Sequence, residues 1–200
     1  MSRVVDSKAA PAVRSTHATP AQAHSAVGQP PSSPASGDPI ALPADLAGAR
    51  VMLDASAMLK RYASEAGHAR VLDLFAQADR LFVAAHCQSE VAAALLLCRR
   101  DGSLPASEFE RVWAAARRDI VDMERVLLDD HVERYAFAAM EREPMRVTDA
   151  LYIGSALAAN VDLFVTTNQC LAQVARSMGL PAECLDMDGE MVGASARAAG

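Results

Sequence analysis

From about residue 50 onward, short apolar runs alternate with stretches whose apolar residues recur every three or four positions. The runs RVMLD (50–54), RLFVAA (80–85) and RVLLD (125–129) have strand length, as does the LFV core of DLFVTTNQCL (162–171). A last short strand is predicted near ECLDM (183–187). Between them the spacing predicts helices. ASAMLKRYA (55–63) has helix-forming composition, and HARVLDLFAQA (68–78) places Val71, Leu72, Phe75 and Ala78 on one face. A helix over 89–102 ends at Gly102, and another runs from Pro105 to about Asp122 with Phe109, Val112, Trp113 and Ala116 in a stripe. Further helices are predicted over 130–143, stopped by Pro144, over 148–160 with Thr148 as N-cap, and from about 168 to Gly179.

Continuous apolar strands separated by helices imply an α/β fold: three α/β/α layers around a mostly parallel central sheet of about five strands. Sites in such sheets form just beyond the carboxyl ends of the strands. Two features of that edge stand out. Asp54 ends the first apolar run, and the run Leu163–Val165 meets Thr166, Thr167 and Asn168.

Composition limits the domain to part of the chain. Seven of the ten prolines fall in the first 43 of 200 residues, and the first aromatic residue is Tyr62. Residues 1–46 are therefore expected to be a disordered Pro/Ala/Ser-rich tail, 47–187 one globular domain, and 188–200 a flexible tail. The N-terminal segment lacks the apolar stretch of a secretory signal. The longest apolar run, Val91–Cys98, has eight residues, against about 20 for a membrane span. Cys87, Cys98, Cys170 and Cys184 show no zinc-ligand spacing; buried reduced thiols and a cytoplasmic location are expected. Residues 51–187 hold 20 acidic and 14 basic side chains, the whole net charge of −6. That excludes a protein that coats nucleic acid with Lys and Arg, but not an enzyme meeting it at one metal-neutralised site.

Three acids then deserve weighing together. Asp54 alone reads equally as a turn or cap residue. Glu90 and Asp149 alone read as acids complementing a helix N-terminus. Each nevertheless sits where a strand ends or a helix begins, on what should be one sheet edge. Three converging carboxylates repel one another unless a cation intervenes, and oxygen-only ligands suit Mg²⁺ or Mn²⁺.

The blocks VMLDASAMLKRYASEAG, CQSEVAAALL and VTDALYIGSALAANVDLFVTTNQCLAQVARSMGL, in that order, resemble the PIN-domain ribonucleases, in particular the VapC-type toxins of bacterial toxin–antitoxin pairs. The resemblance spans about 50–187. It implies a metal-dependent endoribonuclease with Asp54, Glu90 and Asp149 as catalytic and metal-binding acids. It also implies an RNA substrate, an antitoxin partner and a homodimer. Family members usually begin just before the first strand, so residues 1–46 are expected to be dispensable or untranslated. A fourth acid is common in the family after the strand that follows the Asp-Ala-Leu helix; here Asn168 stands in that slot. Its carbonyl oxygen can serve as a weak or water-mediated ligand but brings no charge.

Ser56, Thr166 and Thr167 are candidate donors around Asp54, with helix capping as the competing role for the threonines. Asp162 lies six residues before Asn168, about 20 Å away if extended, too far to replace a fourth acid. Lys60, Arg61 and Arg146 are the basic residues nearest the acids; each reads first as a solvated charge, with contact to an RNA phosphate as the competing role. The exposed helix carrying Phe109 and Trp113 is a candidate docking surface for the antitoxin, whereas His68, His86 and His131 suggest no role. An aspartyl-phosphate enzyme or phosphorylation receiver would want a late lysine, and the only lysines are Lys8 and Lys60. Neither dinucleotide-binding nor P-loop glycine patterns occur. The rival reading is a PIN domain without turnover that acts as a protein- or RNA-binding module.

Overall fold

The computed structural model describes residues 46–185. The tails expected over 1–46 and 188–200 lie outside that range apart from Leu46, which is buried. Within the described residues, five strands form one sheet: β1 (Arg50–Leu53), β2 (Arg80–Ala84), β3 (Glu124–Val126), β4 (Leu163–Thr166) and β5 (Ala182–Cys184). Their order is β3-β2-β1-β4-β5, with every neighbouring pair parallel. Met52 of β1 aligns with Phe82 on one side and Phe164 on the other. Val51, Met52 and Leu53 are buried, as is all of β4. These central strands read as unbroken apolar runs because helices cover both faces of the sheet.

Among the described residues, seven helices supply the covers: α1 (Ala55–Leu59), α2 (His68–Gln77), α3 (Cys87–Asp101), α4 (Ala106–Asp122), α5 (Asp130–Arg142), α6 (Val147–Ala158) and α7 (Gln169–Ser177). From β1 the chain steps outward to β2 and β3, then returns across the sheet to β4 and β5. Right-handed crossovers consequently place α1–α4 on one face and α5–α7 on the other. The helix contacts agree, with α3 packing on α1 and α4, and α6 packing on α5 and α7. The direction reverses between β1 and β4, so a crevice opens beyond their carboxyl ends. Among the described residues, no helix is long and apolar enough to cross a membrane.

Several expected boundaries move; the last strand, expected near 183–187, is Ala182–Cys184, and residues 186–187 lie outside the described range. The strand expected at 125–129 is Glu124–Val126, and Leu127 and Leu128 are 69% and 53% exposed. Its partner β2 ends at Ala84, opposite Val126, so no ladder remains for the two leucines. The first helix stops at Leu59 and gives way to turns, with Lys60 as its C-cap. The Asp149 helix begins at Val147, so Arg146, rather than Thr148, is the N-cap residue. The stripe on α4 is as expected at Phe109, Val112 and Ala116, all buried. That burial removes Phe109 from any docking surface, and Trp113 is partly buried against the same core.

The α5–α6 pair depends on one missing side chain. A Cβ on Gly154 would lie 2.4 Å from the Val132 carbonyl oxygen and 3.0 Å from the Ala136 nitrogen. Both are backbone atoms and cannot rotate away. Gly154→Ala is expected to destabilise the domain by roughly 1–3 kcal/mol through overpacking, read as a lower urea or thermal midpoint. An unchanged midpoint would contradict the close approach of the two helices.

Candidate active site

The β1–β4 crevice is built around Asp54. Its backbone N–H continues the ladder by donating to the Val165 carbonyl at 3.1 Å. Its carboxylate then caps α1: Oδ1 accepts the Ala57 N–H and the Ser56 hydroxyl, both at 2.7 Å. Oδ2 accepts the hydroxyl of Thr166, the last residue of β4, at 2.6 Å. Thr166 is fully buried and itself accepts the Asn168 N–H at 3.0 Å. Ser56 in turn accepts the Thr167 N–H at 3.1 Å. Ser56 and Thr166 thus touch Asp54 directly, while Thr167 joins the network through its backbone. Asn168 caps α7, its Oδ1 accepting the Leu171 N–H at 3.2 Å.

Glu90 enters from the first turn of α3 and Asp149 from the first turn of α6. Asp54, Glu90, Asp149 and Asn168 line one cavity of about 400 Å³, together with Ser56, Arg146 and Tyr152. The four positions singled out in the sequence therefore share a wall. A larger groove of about 720 Å³ is lined by Asp130, His131, Glu133, Arg134 and Phe137, all within two turns of α5, and contains none of these acids. Asp162 stands at the opposite end of β4, where its Oδ2 accepts the Arg50 N–H at 2.8 Å.

Charge is unevenly compensated in the cavity. Asp54 is only 5% exposed, and burial raises its pKa. Its three donors pull the other way, and the nearby charge of Asp149 adds to the rise. Asp149 has a cation of its own. Arg146 donates Nη2 to Oδ1 at 2.8 Å and Nε to Oδ2 at 3.0 Å. This fork occupies the i,i+3 spacing of a capping box, with a charged pair in place of hydroxyl and backbone. The other two basic candidates are committed elsewhere. Lys60 is buried and paired with Glu65 at 3.0 Å, and Arg61 binds Asp119 at 2.6 Å while stacking over Phe75.

Two residues without an expected role join the elements that carry the acids. Tyr152, one turn after Asp149, is buried and its hydroxyl accepts the Ala55 N–H at 3.1 Å. His86, four residues before Glu90, lies with its ring centroid 4.4 Å from that of Tyr152. Its Nε2 is buried with no hydrogen-bond partner among the described residues, and burial lowers its pKa. His86 and Tyr152 thereby fix the start of α3 against α6 and α1. Tyr152 was visible as an i+3 neighbour of Asp149, but the His86 contact depends on tertiary packing. Cys87 beside them is a core thiol, pushed up to about 12 by burial, and unsuited to act as a nucleophile.

An all-oxygen set of three carboxylates suits a hard divalent cation. A carboxylate destabilised by burial and by a neighbouring acid is what such a cation would relieve. As arranged, however, no three His, Cys, Asp or Glu side chains among the described residues are grouped to hold a metal. Arg146 holds both oxygens of Asp149 instead. The residues fit a cation in donor chemistry and charge.

Among known proteins, the family model described as PIN domain matches residues 51–177, a stretch containing all four site positions. PAE2754 from Pyrobaculum aerophilum is similar in fold, with 15% identity and TM-score 0.50 over 68% of this chain and 91% of that one. FitAcB from Neisseria gonorrhoeae has 10% identity and TM-score 0.50 over 66% and 95%. VapBC-5 from Mycobacterium tuberculosis, a member of the VapBC family of toxin-antitoxin systems, has 17% identity and TM-score 0.47 over 69% and 98%. Comparison with curated proteins gave no match. At these identities the likeness to solved structures is one of fold.

The raised pKa of Asp54 has a sign that stability measurements can read. A carboxyl whose folded pKa lies above its unfolded value stabilises the fold fully only below the ordinary carboxylate range. That contribution is lost as pH rises through the folded value. Asp54→Asn removes the buried charge, and its amide can still accept from Ala57 and Ser56 while donating to Thr166. The variant is therefore expected to have a higher urea midpoint than wild type at neutral pH, with the difference shrinking as pH falls toward 4. A lower midpoint at neutral pH would show that the three donors outweigh burial.

Proposed function

The chain belongs to the PIN-domain family, and from that premise we propose that it is a metal-dependent endoribonuclease, the toxin of a toxin–antitoxin pair. The observation that carries this reading is the sharing of one cavity, beyond the carboxyl ends of β1 and β4, by Asp54, Glu90 and Asp149. Three acids from three separate elements have no packing reason to meet there.

Asp54, Glu90 and Asp149 would hold Mg²⁺ or Mn²⁺, with Asn168 as a weak or water-mediated fourth contact. The bound cation supplies Lewis-acid activation of water and neutralises charge at an RNA phosphate. The protein's own part is positional. Ser56, Ala57 and Thr166 fix the Asp54 carboxylate from three sides. Tyr152 and His86 hold the starts of α6 and α3, and with them Asp149 and Glu90. Hydrolysis by water leaves 3′-hydroxyl and 5′-phosphate ends. The domain is taken as residues 47–187, acting in the cytoplasm as a homodimer restrained by an antitoxin protein.

A second reading, a PIN domain that binds without turnover, gains support from the Arg146 fork on Asp149 and from the amide at Asn168. RNA cleavage separates the two. Wild type with Mg²⁺ or Mn²⁺ is expected to cut a mixed RNA, and Asp54→Asn or Asp149→Asn to lose about 10²–10³-fold in rate, the equivalent of several kcal/mol of charge stabilisation. Asn168→Asp is expected to lower the metal concentration needed for half-maximal rate. Equal inertness of wild type and Asp54→Asn, with no metal bound to either, would reject the nuclease in favour of the binding module.

A further inference from the structure

Among the described residues, Arg146 is the one basic side chain lining the cavity of Asp54, Glu90 and Asp149. Its backbone is extended (φ −68°, ψ 147°) and it gives α6 no side-chain cap. The guanidinium instead reaches forward three residues and takes both oxygens of Asp149. The two partners differ sharply in exposure: the Arg146 side chain is 75% exposed and that of Asp149 only 12%. The acid is fixed in the cavity wall, whereas the arginine stem stands in solvent at the mouth. Solvent around the arginine screens the pair on that side, which weakens its hold. The same group lines one cavity with Glu90 and Asp54 as well as Asp149. A planar fork that grips a carboxylate through two N–H groups also matches a phosphate.

We propose that Arg146 has two stations: it neutralises Asp149 while the acids hold no cation, and releases that carboxylate to a divalent cation to grip an RNA phosphate at the cavity mouth. This inference rests on the metal-dependent ribonuclease reading. It makes Arg146 a competitor of the metal and a substrate-binding residue at once, two roles that pull opposite ways when the side chain is removed. A merely structural arginine, one that only shapes Asp149, would weaken metal binding and RNA binding together.

The test measures Mn²⁺ binding by titration calorimetry, and binding of a fluorescent single-stranded oligoribonucleotide with Ca²⁺ or with EDTA. The full chain is used as wild type, Arg146→Gln, Arg146→Lys and Asp149→Asn. Removing one unit charge from the cavity is expected to tighten Mn²⁺ binding about three- to tenfold in Arg146→Gln. The same variant should lose about five- to tenfold in RNA affinity with Ca²⁺ but less than about twofold with EDTA, where the arginine is engaged with Asp149. Arg146→Lys keeps the charge but not the fork, and its Mn²⁺ affinity should fall between those of wild type and Arg146→Gln. Asp149→Asn should bind Mn²⁺ more weakly than wild type. Unchanged or weaker Mn²⁺ binding by Arg146→Gln would overturn the proposal, as would an equal loss of RNA affinity with and without Ca²⁺. Wild type that binds no Mn²⁺ would reject the ribonuclease reading itself, and this inference with it.

Discussion

The carboxylate of Asp54 receives three hydrogen bonds from two different segments, and the rest of the site is arranged around that cluster. Ser56 and Ala57 belong to the helix that Asp54 itself starts, and Thr166 ends the strand on the far side of the crevice. The bond to Thr166 bridges β1 and β4 where the direction of the sheet reverses. Parallel strands diverge at such a point, and the crevice between them offers no ladder partner for the polar groups at its rim. Asp54, Ser56, Thr166 and the backbone of Thr167 and Asn168 satisfy one another there. The arrangement is costly, since it places a carboxylate in near-complete burial with a second acid nearby. Natural folds retain such a charge where function uses it, at some expense of stability.

The same economy explains why the helices carrying the other acids are tied down by neutral groups. Tyr152 spends its hydroxyl on the Ala55 N–H, and the His86 ring lies against it. Neither adds charge to a cavity that already holds three carboxylates. Its one cation among the described residues, Arg146, sits at the rim and not inside. A lysine or arginine buried among the acids would quench them permanently, whereas one at the mouth can let go. The electrostatics of the site thus divide between an interior of carboxylates and a positive charge at the rim.

Much of this was legible in the sequence, for reasons that differ by element. Leu163–Val165 and Val51–Leu53 are central strands covered on both faces, so their apolar runs are unbroken and unmistakable. Asp54 and Asn168 were placed correctly because a strand end beside a helix start leaves little freedom. RVLLD misled, because β3 is an edge strand limited by the length of β2, and only the partner reveals that Leu127 and Leu128 have nothing to pair with. Lys60 and Arg61 were read as solvated charges or phosphate contacts, but each is paired with an acid, Glu65 from a turn and Asp119 from α4. Phe109 was read as exposed because its stripe was visible but not the helix hairpin that covers it. The Arg146 fork was hidden by one misplaced boundary. With Thr148 as the cap, the arginine falls outside the helix, and the i,i+3 relation to Asp149 has no structural meaning.

The central claim is that the three acids form a cation site which the Arg146 fork now masks. Anomalous diffraction from crystals grown with Mn²⁺ tests it most directly. The account predicts one strong peak bounded by Asp54, Glu90 and Asp149, with the Arg146 guanidinium turned away from Asp149. A cavity without anomalous density, and with Arg146 still forked on Asp149 at saturating Mn²⁺, would contradict it.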